Sequence, residues 1–287
     1  MNNFSNIRHV VVTPSRNESE FLPDLVESMT RQTIIPSEWI IVAHNSDSNS
    51  QKILEEISSE HNWIKWFKMD DESKRRRGAQ IAEVVNFGLS NSETEWDFFS
   101  KIDSDMSLPP DYFENIFTRF SEVDGLGIAS GSCFLIENGK KSKEEVALGH
   151  TRGGLKTYKL ECFNEIGGIR EVDGWDGIDN ITAQMKNWKT RSFDEIAVHH
   201  QRRTGSFFGL IPGCFETGKF AYSMRYYPLF MLVRCIHRMA RKPLILGGIS
   251  MFFGYATSFF RRNDRLNDLE ITTFLREKQK KRLKHWR

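Results

Sequence analysis

The stretch WDFFSKIDSD at residues 96–105 carries both the fold prediction and the first candidate site. Residues 96–102 are mainly apolar and predict a buried strand, which stops at Asp103-Ser104-Asp105. Two carboxylates one residue apart at a strand end can converge on one hard divalent cation, and that cation can also hold a diphosphate. The alternative is a solvated turn, because Asp and Ser are ordinary turn residues.

The sequence before this stretch alternates between short apolar runs and segments whose apolar residues recur with helical spacing. These predict strands at 10–12, 39–43 and 64–67 and helices at 21–29, 53–57 and 81–89. Such alternation produces βαβ units, so we predict an α/β fold with a mostly parallel twisted sheet flanked by helices. Ligands of such sheets bind beyond the carboxyl ends of the strands, so the polar residues after each strand are the candidates for a binding site.

The length and composition exclude several classes of protein. The 287 residues are 39% hydrophobic and 27% charged, which is typical of a chain with a buried core. The 40 Lys and Arg residues nearly balance the 38 Asp and Glu residues, which argues against a nucleic-acid partner. The glycine signatures of dinucleotide-binding and P-loop proteins are absent. The four cysteines are far apart, which favours reduced thiols in a cytosolic compartment over a disulfide framework or a zinc knuckle.

The second half of the chain adds two further candidate groups. The motif GWDGIDN at 174–180 precedes a predicted helix through 181–188, so Asp179 lies near a helix N-terminus. A capping role is the alternative for this aspartate. The apolar run 196–198 is followed by a histidine pair that ends at His200. A histidine at a strand end could complete a metal site, and paired surface histidines are the alternative.

Several motifs, in this order, resemble a family 2 glycosyltransferase of the GT-A fold. They are TPSRNE at 13–18, RGAQIAEVVNFG at 77–88, KIDSDMSLPPDYF at 101–113, GWDGIDN at 174–180 and HQRRTG at 200–205. Each motif is modest alone, but their order and spacing together are hard to obtain by chance. The resemblance implies the GT-A nucleotide-diphospho-sugar transferase fold. The tail from Gly218 onward also resembles the tails of bacterial members that build surface polysaccharides.

By this resemblance, a nucleotide-sugar donor lies against the loops that follow the first strands. The residues implied to border it are Thr13, Pro14, Arg16, Glu18, Asn45, Arg77, Asp103 and Gly154. Asp103 and Asp105 are implied to bind a Mn²⁺ or Mg²⁺ ion together with the donor diphosphate, and His200 is a candidate further ligand of that ion. The Gly153-Gly154 pair either permits close backbone approach beneath the donor or forms a tight turn.

The resemblance also implies an acceptor site. Asp179 matches the family's catalytic base, but the position before it is usually Glu and here is Ile178, so Asp176 remains a rival base. Trp175 either stacks on an acceptor sugar or packs in the core. A second departure concerns the donor: His44-Asn45 stands where the family usually has an acidic pair near the nucleobase, which leaves the nucleoside open.

Sugar transfer must stabilise a departing diphosphate and deprotonate an incoming hydroxyl. A cation on Asp103 and Asp105 would meet the first need, and Asp179 would meet the second in a single displacement that inverts the anomeric carbon. The resemblance therefore implies a metal-dependent inverting glycosyltransferase of surface glycan biosynthesis, with a saccharide or lipid-linked acceptor. The alternative is a non-catalytic nucleotide-sugar-binding or scaffold protein at the membrane.

Charge is divided unevenly along the chain. Residues 219–287 carry 16 basic and 4 acidic residues, whereas residues 1–218 carry 24 basic and 34 acidic ones. An acidic body with a basic, aromatic tail predicts docking on an anionic membrane surface. We assign residues 1–210 to a catalytic domain and 211–287 to a helical membrane-associating region. The catalytic domain comprises a nucleotide-sugar half at about 1–106 and an acceptor half at about 107–210.

The charge-free run 243–260 within the tail would rise about 27 Å as a helix, just short of the roughly 30 Å hydrocarbon layer. Cations flank both of its ends, so we predict a helical hairpin lying in the cytoplasmic leaflet. The alternatives are packing on the catalytic domain and a homo-oligomer interface. The polar residues 1–8 lack a secretion signal, so the expected location is cytoplasmic and peripheral on the inner face of the cell membrane.

Overall fold

The structure is a computed structural model that describes residues 4, 6–72, 78–137, 140–144, 149–202 and 209–284. The chain divides into two compact units, Met1–Arg202 and Arg203–Arg287. The described part of the first unit contains a β-sheet with flanking helices, and that of the second unit contains helices.

The first unit alternates between strands and helices along its N-terminal half. Its strands are β1 (His9–Ser15), β2 (Glu38–His44), β3 (Ile64–Met69), β4 (Phe98–Ile102), β5 (Met106–Ser107), β6 (Leu126–Glu137), β7 (Lys140–Lys143), β8 (Leu155–Lys159) and β9 (Lys189–His200). Its helices are α1 (Leu22–Thr30), α2 (Ser48–Glu60), α3 (Ala79–Ser90), α4 (Tyr112–Glu122), α5 (Leu160–Ile166) and α6 (Trp175–Met185). The predicted alternation of strands and helices up to residue 102 is confirmed.

The strands form one sheet in the order β3-β2-β1-β4-β8-β6-β9-β5, with β7 paired on β6. The first four strands of this order are parallel, so their carboxyl ends lie at one edge. β8 enters antiparallel between β4 and β6, and β9 runs parallel to β6. The predicted α/β class, with a sheet flanked by helices, is confirmed. The strand order reverses between β1 and β4, and open α/β sheets bind ligands at such a reversal.

Both faces of β1 and β2 are buried, because alternate residues of each strand enter different hydrophobic clusters. Val11 and Ile41 belong to one cluster, whereas Val12 and Val42 belong to the other. Helix α3 lies directly on the second face: a Cβ atom at Gly88 would be 2.6 Å from a methyl carbon of Val12. Neither face of these strands is exposed to water, and their sequences are therefore continuous runs of β-branched and other apolar residues.

The strand that ends at His200 is longer than predicted, and the helix before it is shorter. α6 ends at Met185 rather than continuing through residue 188, and β9 already begins at Lys189. β9 pairs with β6 along most of its length, with a register shift between Gly131 and Ser132. The shift interrupts the alternation of buried residues, since Phe193 and Ile196 are both buried. A strict two-residue period is therefore missing from the sequence.

In the second unit, α9 packs against two other helices through glycines. The helices of this unit are α7 (Leu210–Ser223), α8 (Pro228–Met239), α9 (Leu246–Phe260) and α10 (Leu269–Lys284). A Cβ atom at Gly218 would overlap the backbone of α9, and one at Gly254 would overlap the backbone of α7. A Cβ atom at Gly248 would overlap the Cys235 carbonyl in α8. These glycines therefore allow direct contact between helix backbones.

The predicted charge-free helix through 243–260 is shorter than expected, because α9 begins at Leu246 and has 15 residues. Within the described part of the chain, no helix combines the length and the apolar character needed to cross a membrane.

His9 is a fully buried ionisable residue at the start of β1. Its Nε2 atom lies 2.8 Å from Ser100 Oγ, and its ring packs edge-on against Phe113 and Phe117. Burial lowers the pKa of His9 to about 3. The unfolded chain therefore takes up a proton near pH 6.5 that the folded protein excludes, so the free energy of unfolding falls as the pH drops from 6.5 toward 3.

We expect His9 to account for a loss of about 2 kcal/mol in the free energy of unfolding of the first unit between pH 7 and pH 5. In His9→Gln that part of the pH dependence should disappear, although the variant is less stable at pH 7 because the buried site is disturbed. Denaturant unfolding at both pH values, followed by tryptophan fluorescence, measures the difference. Equal losses in the parent and the variant would show that His9 does not titrate in this way.

Candidate active site

The short strand β5 brings a carboxylate and a histidine together. β5 pairs antiparallel with the end of β9, so that Met106 lies opposite His200. The backbone N–H of Gln201 donates to the carbonyl of Asp105 at 2.9 Å, which holds the loop before β5 against the end of β9. Asp105 Oδ2 consequently lies 3.4 Å from His200 Nε2, although the two residues are far apart in the sequence.

Arg202 connects this pair to the loop after β1. Its Nε donates to Asp105 Oδ2 at 2.6 Å, and its Nη2 donates to Glu18 Oε1 at 2.7 Å. Burial alone would raise the pKa of Asp105, but the His200 hydrogen bond and the charges of His200 and Arg202 outweigh it. The pKa of Asp105 therefore lies below its usual value. The carboxylate is ionised at neutral pH, as a cation ligand must be.

The Gly153-Gly154 turn lies between two further carboxylates. The backbone N–H of Asp103 donates to the carbonyl of Gly154 at 3.0 Å. A Cβ atom at Gly154 would lie 2.5 Å from Asp103 Oδ2, and one at Gly153 would lie 3.0 Å from Asp176 Oδ2. These distances leave no room for a side chain at Gly154 and little at Gly153. The glycines therefore let Asp103 and Asp176 approach the same short piece of backbone.

The two rival aspartates of α6 lie in different environments. Asp179 is buried: its Oδ1 accepts from Lys156 Nζ at 2.5 Å and from the backbone N–H of Asn180 at 2.6 Å. Its Oδ2 accepts from the Tyr158 hydroxyl. The Asp176 side chain is 41% exposed and lies 3.9 Å from the imidazole of His150. Of the two, Asp176 is the carboxylate that solvent can reach.

Two lysines face each other beneath these carboxylates. Lys101 of β4 lies directly opposite Lys156 of β8, and both are almost fully buried. Lys101 pairs with Asp103, and Lys156 pairs with Asp179 and also donates to the backbone carbonyl of Asp176 at 2.5 Å. Burial lowers the pKa of Lys156, and the charges of Asp179 and Asp176 offset part of that effect.

Trp175 closes this network from one side. Its ring lies 5.7 Å from the ammonium nitrogen of Lys101 and 5.4 Å from that of Lys156. The side chain is only 4% exposed and belongs to a hydrophobic cluster of the core. An acceptor sugar cannot stack on a ring with so little exposed surface, so burial favours the core-packing alternative.

The other described residues implied to border the donor lie at the end of β1 and in the loops after β1 and β2. Thr13 points into the core, where its hydroxyl accepts from Trp39 Nε1 at 2.9 Å. Pro14 and Arg16 are half-buried, and Glu18 is buried beneath Arg202. The side chain of Thr13 therefore does not face the loops where the other residues gather. Arg77, also implied to border the donor, lies outside the described residues.

Asp71 is a candidate binding residue that the sequence analysis missed. Its Oδ1 accepts from Asn45 Nδ2 at 2.7 Å, and its Oδ2 lies 3.1 Å from His44 Nε2. The backbone N–H of Asp71 also donates to Asn45 Oδ1 at 2.9 Å. A carboxylate thus stands beside the His44-Asn45 pair, but it comes from the loop after β3. The rule that polar residues after strands form sites would have indicated it, because Asp71 follows the third strand.

Of the three predicted cation ligands, Asp105 and His200 lie together in the structure. Asp103 and Asp105 offer carboxylate oxygens and His200 offers an imidazole nitrogen, which together suit Mn²⁺ or Mg²⁺. The Arg202 guanidinium pairs with Asp105, so a cation on that carboxylate would have to displace part of this contact.

Removing the ionic partner of Asp179 should destabilise the fold. We expect Lys156→Met to lower the free energy of unfolding by about 3–5 kcal/mol, because it leaves a buried carboxylate unpaired. The double variant Lys156→Met/Asp179→Leu should recover at least half of that loss, since it removes both charges. Denaturant unfolding measures both effects.

Lys159→Met is the matched control on the same strand. In the parent, Lys159 Nζ lies 3.6 Å from Glu161 Oε2 at the surface. It should change the stability by no more than about 0.5 kcal/mol. A double variant as unstable as Lys156→Met alone would contradict the assigned pairing.

Several solved structures share this fold at low sequence identity. The mannosyltransferase PcManGT from Pyrobaculum calidifontis, in complex with GDP-Man and Mn²⁺, has a TM-score of 0.56 and 13% identity, covering 96% of this chain and 81% of its own. S. aureus TarS 1–349 in complex with UDP-GlcNAc has a TM-score of 0.55 and 14% identity, covering 94% and 78%. GalNAc-T7 with UDP, GalNAc and Mn²⁺ has a TM-score of 0.55 and 15% identity, covering 69% and 44%.

These similarities establish the GT-A glycosyltransferase fold that the motifs predicted. No curated protein sequence shows significant similarity to the chain. The model of the family described as Glycosyl transferase family 2 matches residues 10–170, which is more than half of the chain and includes β1–β4 and the Gly153-Gly154 turn. The chain is therefore a glycosyltransferase, and it belongs to family 2.

Proposed function

We propose that this protein is a metal-dependent inverting glycosyltransferase that moves a sugar from a nucleotide-diphosphate donor to a saccharide or lipid-linked acceptor in surface glycan biosynthesis. The observation that carries the proposal is the approach of Asp103 and Asp176 to the same Gly153-Gly154 turn. One carboxylate would serve the leaving diphosphate, and the other would serve the incoming hydroxyl. The complexes of PcManGT with GDP-Man and Mn²⁺ and of TarS with UDP-GlcNAc support the donor class.

At the donor end, Asp103, Asp105 and His200 would hold Mn²⁺ or Mg²⁺. When bound, the ion supplies a Lewis acid for the departing diphosphate. Lys101 pairs with Asp103, and Arg202 pairs with Asp105. When a metal ion binds these carboxylates, each of the two cations could turn toward a phosphate oxygen of the donor instead. These residues keep positive charge where negative charge develops.

At the acceptor end, Asp176 would accept the proton of the attacking hydroxyl. Its exposed carboxylate can reach an acceptor, whereas that of Asp179 is buried and saturated with hydrogen bonds. Asp179 would act through Lys156, because the same ammonium donates to the Asp176 carbonyl. We therefore assign Asp176 as the base and Asp179 as a positioning residue, which reverses the order of preference that the sequence suggested.

The nucleobase would lie near the His44, Asn45 and Asp71 group. A carboxylate accepts hydrogen bonds from ring N–H groups, which uracil and guanine both carry. The position of Asp71 beside Asn45 therefore supports a UDP or GDP donor, in line with the nucleotide-sugars in the TarS and PcManGT complexes.

The base assignment is tested by Asp176→Asn and Asp179→Asn. The donor is first chosen from UDP-GlcNAc, GDP-Man and other nucleotide-sugars by thermal stabilisation with Mn²⁺, with Mg²⁺ and with chelator. We expect Asp176→Asn to lower kcat by about 10²–10⁴-fold while donor-induced stabilisation persists, because only proton transfer is removed. Asp179→Asn should lower the melting temperature as well, since Lys156 then lacks its charged partner.

Asp124→Asn is the matched control, an exposed aspartate in the turn before β6, and it should behave like the parent. Normal turnover in Asp176→Asn, with an inactive but stable Asp179→Asn, would return the base role to Asp179. Metal-dependent hydrolysis of the donor without acceptor distinguishes an enzyme from a non-catalytic binding protein, which should turn over nothing.

We further propose that the second unit binds the protein to the inner face of an anionic membrane. Exposed apolar side chains of α9 lie on one side of the helix, in its first two turns and again at its C-terminal end, and α8 carries a shorter exposed stripe. The exposed residues are Ile245 just before α9, Leu246, Ile249, Phe252, Phe253, Phe259 and Phe260 within α9, and Leu229, Leu232 and Ile236 along α8. At 100° per residue, each set lies within about 70° of one line along its helix, so each forms a single face.

Charge complementarity favours a lipid surface as the partner of this face. The exposed cations Arg241, Lys242, Arg261 and Arg262 flank both ends of α9. α9 rises about 22 Å, and exposed apolar residues occur near both of its ends, with Phe260 80% exposed. An apolar stripe between cationic ends matches an in-plane helix whose cations reach anionic headgroups.

Sedimentation of the full chain with vesicles tests the membrane proposal. Vesicles that contain phosphatidylglycerol should bind the protein more strongly than pure phosphatidylcholine vesicles. We expect Phe253→Ser/Phe260→Ser to weaken binding at least about tenfold, because each phenyl side chain loses its apolar burial. Arg261→Glu/Arg262→Glu should abolish the preference for anionic lipid.

Ile136→Ser is the matched control, an exposed apolar residue of the first unit, and it should bind vesicles like the parent. Failure of the parent protein to bind anionic vesicles at low salt would refute the membrane proposal. So would equal binding by the control and the phenylalanine variant.

A further inference from the structure

We propose that Cys133, Glu144 and His200 form a second cation site, selective for a thiophilic divalent ion such as Zn²⁺, and that an ion bound there withdraws His200 from the proposed catalytic cation. The binding site stands on its own geometry. Its effect on the enzyme rests on the proposed function, in which His200 ligates Mn²⁺ or Mg²⁺.

The three ligand atoms are already close together. One ligand atom from each residue lies within 4.8 Å of the other two, and Glu144 Oε2 lies 3.0 Å from His200 Nδ1. Ligand atoms at tetrahedral angles around Zn²⁺ are about 3.5 Å apart, given Zn–N and Zn–S distances of about 2.0 and 2.3 Å. Shifts of about 1 Å would therefore enclose an ion, which is within the range of side-chain adjustment.

Paired strands hold these ligands in place. Cys133 of β6 lies opposite Val198 of β9, and His200 is two residues further along β9, so both side chains project from the same face of the sheet. The backbone N–H of Glu144 donates to the carbonyl of Cys133 at 2.9 Å. Cys133 and His200 are buried, and Glu144 is mostly buried. A site built on strands is organised before the ion arrives.

The charges around the thiol favour a divalent ion. Asp103 and Asp105 both act on Cys133 electrostatically, and Arg152 is the opposing cation, paired with Glu144 and hydrogen-bonded to the thiol. Burial raises the pKa of Cys133, and Arg152 offsets part of that rise. Metal binding removes the thiol proton and leaves a negatively charged sulfur ligand. Together with the carboxylates of Asp103, Asp105 and Glu144, this sulfur gives the site a negative charge that a divalent ion offsets.

The ligand types discriminate between the two cations. A thiolate and an imidazole are ligands that select zinc, whereas Mn²⁺ and Mg²⁺ favour the oxygen-rich set that Asp103 and Asp105 provide. The two sites are therefore chemically distinct although they share His200.

The shared imidazole couples the sites. His200 Nδ1 faces Glu144 at 3.0 Å, and Nε2 faces Asp105 at 3.4 Å. An ion that binds Nδ1 leaves the proton on Nε2, from which it can be donated to Asp105. This carboxylate–histidine–metal arrangement is common around zinc. In that state Nε2 cannot ligate the Mn²⁺ or Mg²⁺ ion, so Zn²⁺ should weaken binding of the activating cation.

Co²⁺ serves as a spectroscopic substitute for Zn²⁺ in the test, which uses the full chain stripped of metal. We expect a thiolate-to-cobalt charge-transfer band that Zn²⁺ abolishes, present in the parent and in Cys214→Ser and absent in Cys133→Ser. Cys214 is a buried thiol of the second unit, so its variant is the matched control. Electron paramagnetic resonance of free Mn²⁺ then measures Mn²⁺ affinity with and without Zn²⁺.

Zn²⁺ should raise the Mn²⁺ dissociation constant at least about tenfold in the parent and leave it unchanged in Cys133→Ser. A band that is missing in the parent, or that persists in Cys133→Ser and in Cys133→Ala, would overturn the site. A cysteine-dependent band without any change in Mn²⁺ affinity would overturn the coupling. Failure of the proposed function has a different signature: the protein would turn over no donor, while the cobalt band remains.

Discussion

The architecture of the site depends on two lysines that face each other across β4 and β8. Like charges directly opposite each other in a sheet are destabilising, and burial makes each unpaired ammonium costly. Lys101 is neutralised by Asp103 and Lys156 by Asp179, which draws the loop after β4 and the start of α6 toward the same strands. Asp176 then lies at the exposed edge of this network, because Lys156 also holds its backbone carbonyl.

A second constraint closes the other side of the site. β5 has only two residues, yet its pairing with the end of β9 carries Asp105 to His200 and allows Arg202 to reach Glu18. The imidazole of His200 consequently stands between two carboxylates, one on each nitrogen. In the two sites that we propose, this placement would make His200 a ligand of either cation, and the thiol of Cys133 would thereby affect the cation proposed for catalysis.

The helices of the second unit pack through close contacts between their backbones. Glycines at the contacts of α9 with α7 and α8 replace side-chain packing by backbone contact. Met251 and Tyr255 of α9 also pack in the cluster between these helices, and most of its other aromatic and aliphatic side chains are exposed. An apolar surface of this extent, bordered by cations, is rare on a protein that meets only water and supports the proposed lipid partner.

The sequence by itself determined the α/β class, the elements from β1 to β4 and the family, because apolar periodicity and strand-end motifs are local properties of the chain. It also indicated Asp103, Asp105 and His200 as one group. Only the tertiary structure separated Asp176 from Asp179, since two residues three apart on a helix differ only in what packs against them. Cys133 and Glu144 could not be grouped with His200 from the sequence for a related reason: their partners lie in distant segments, and pairing across a sheet leaves no local signal.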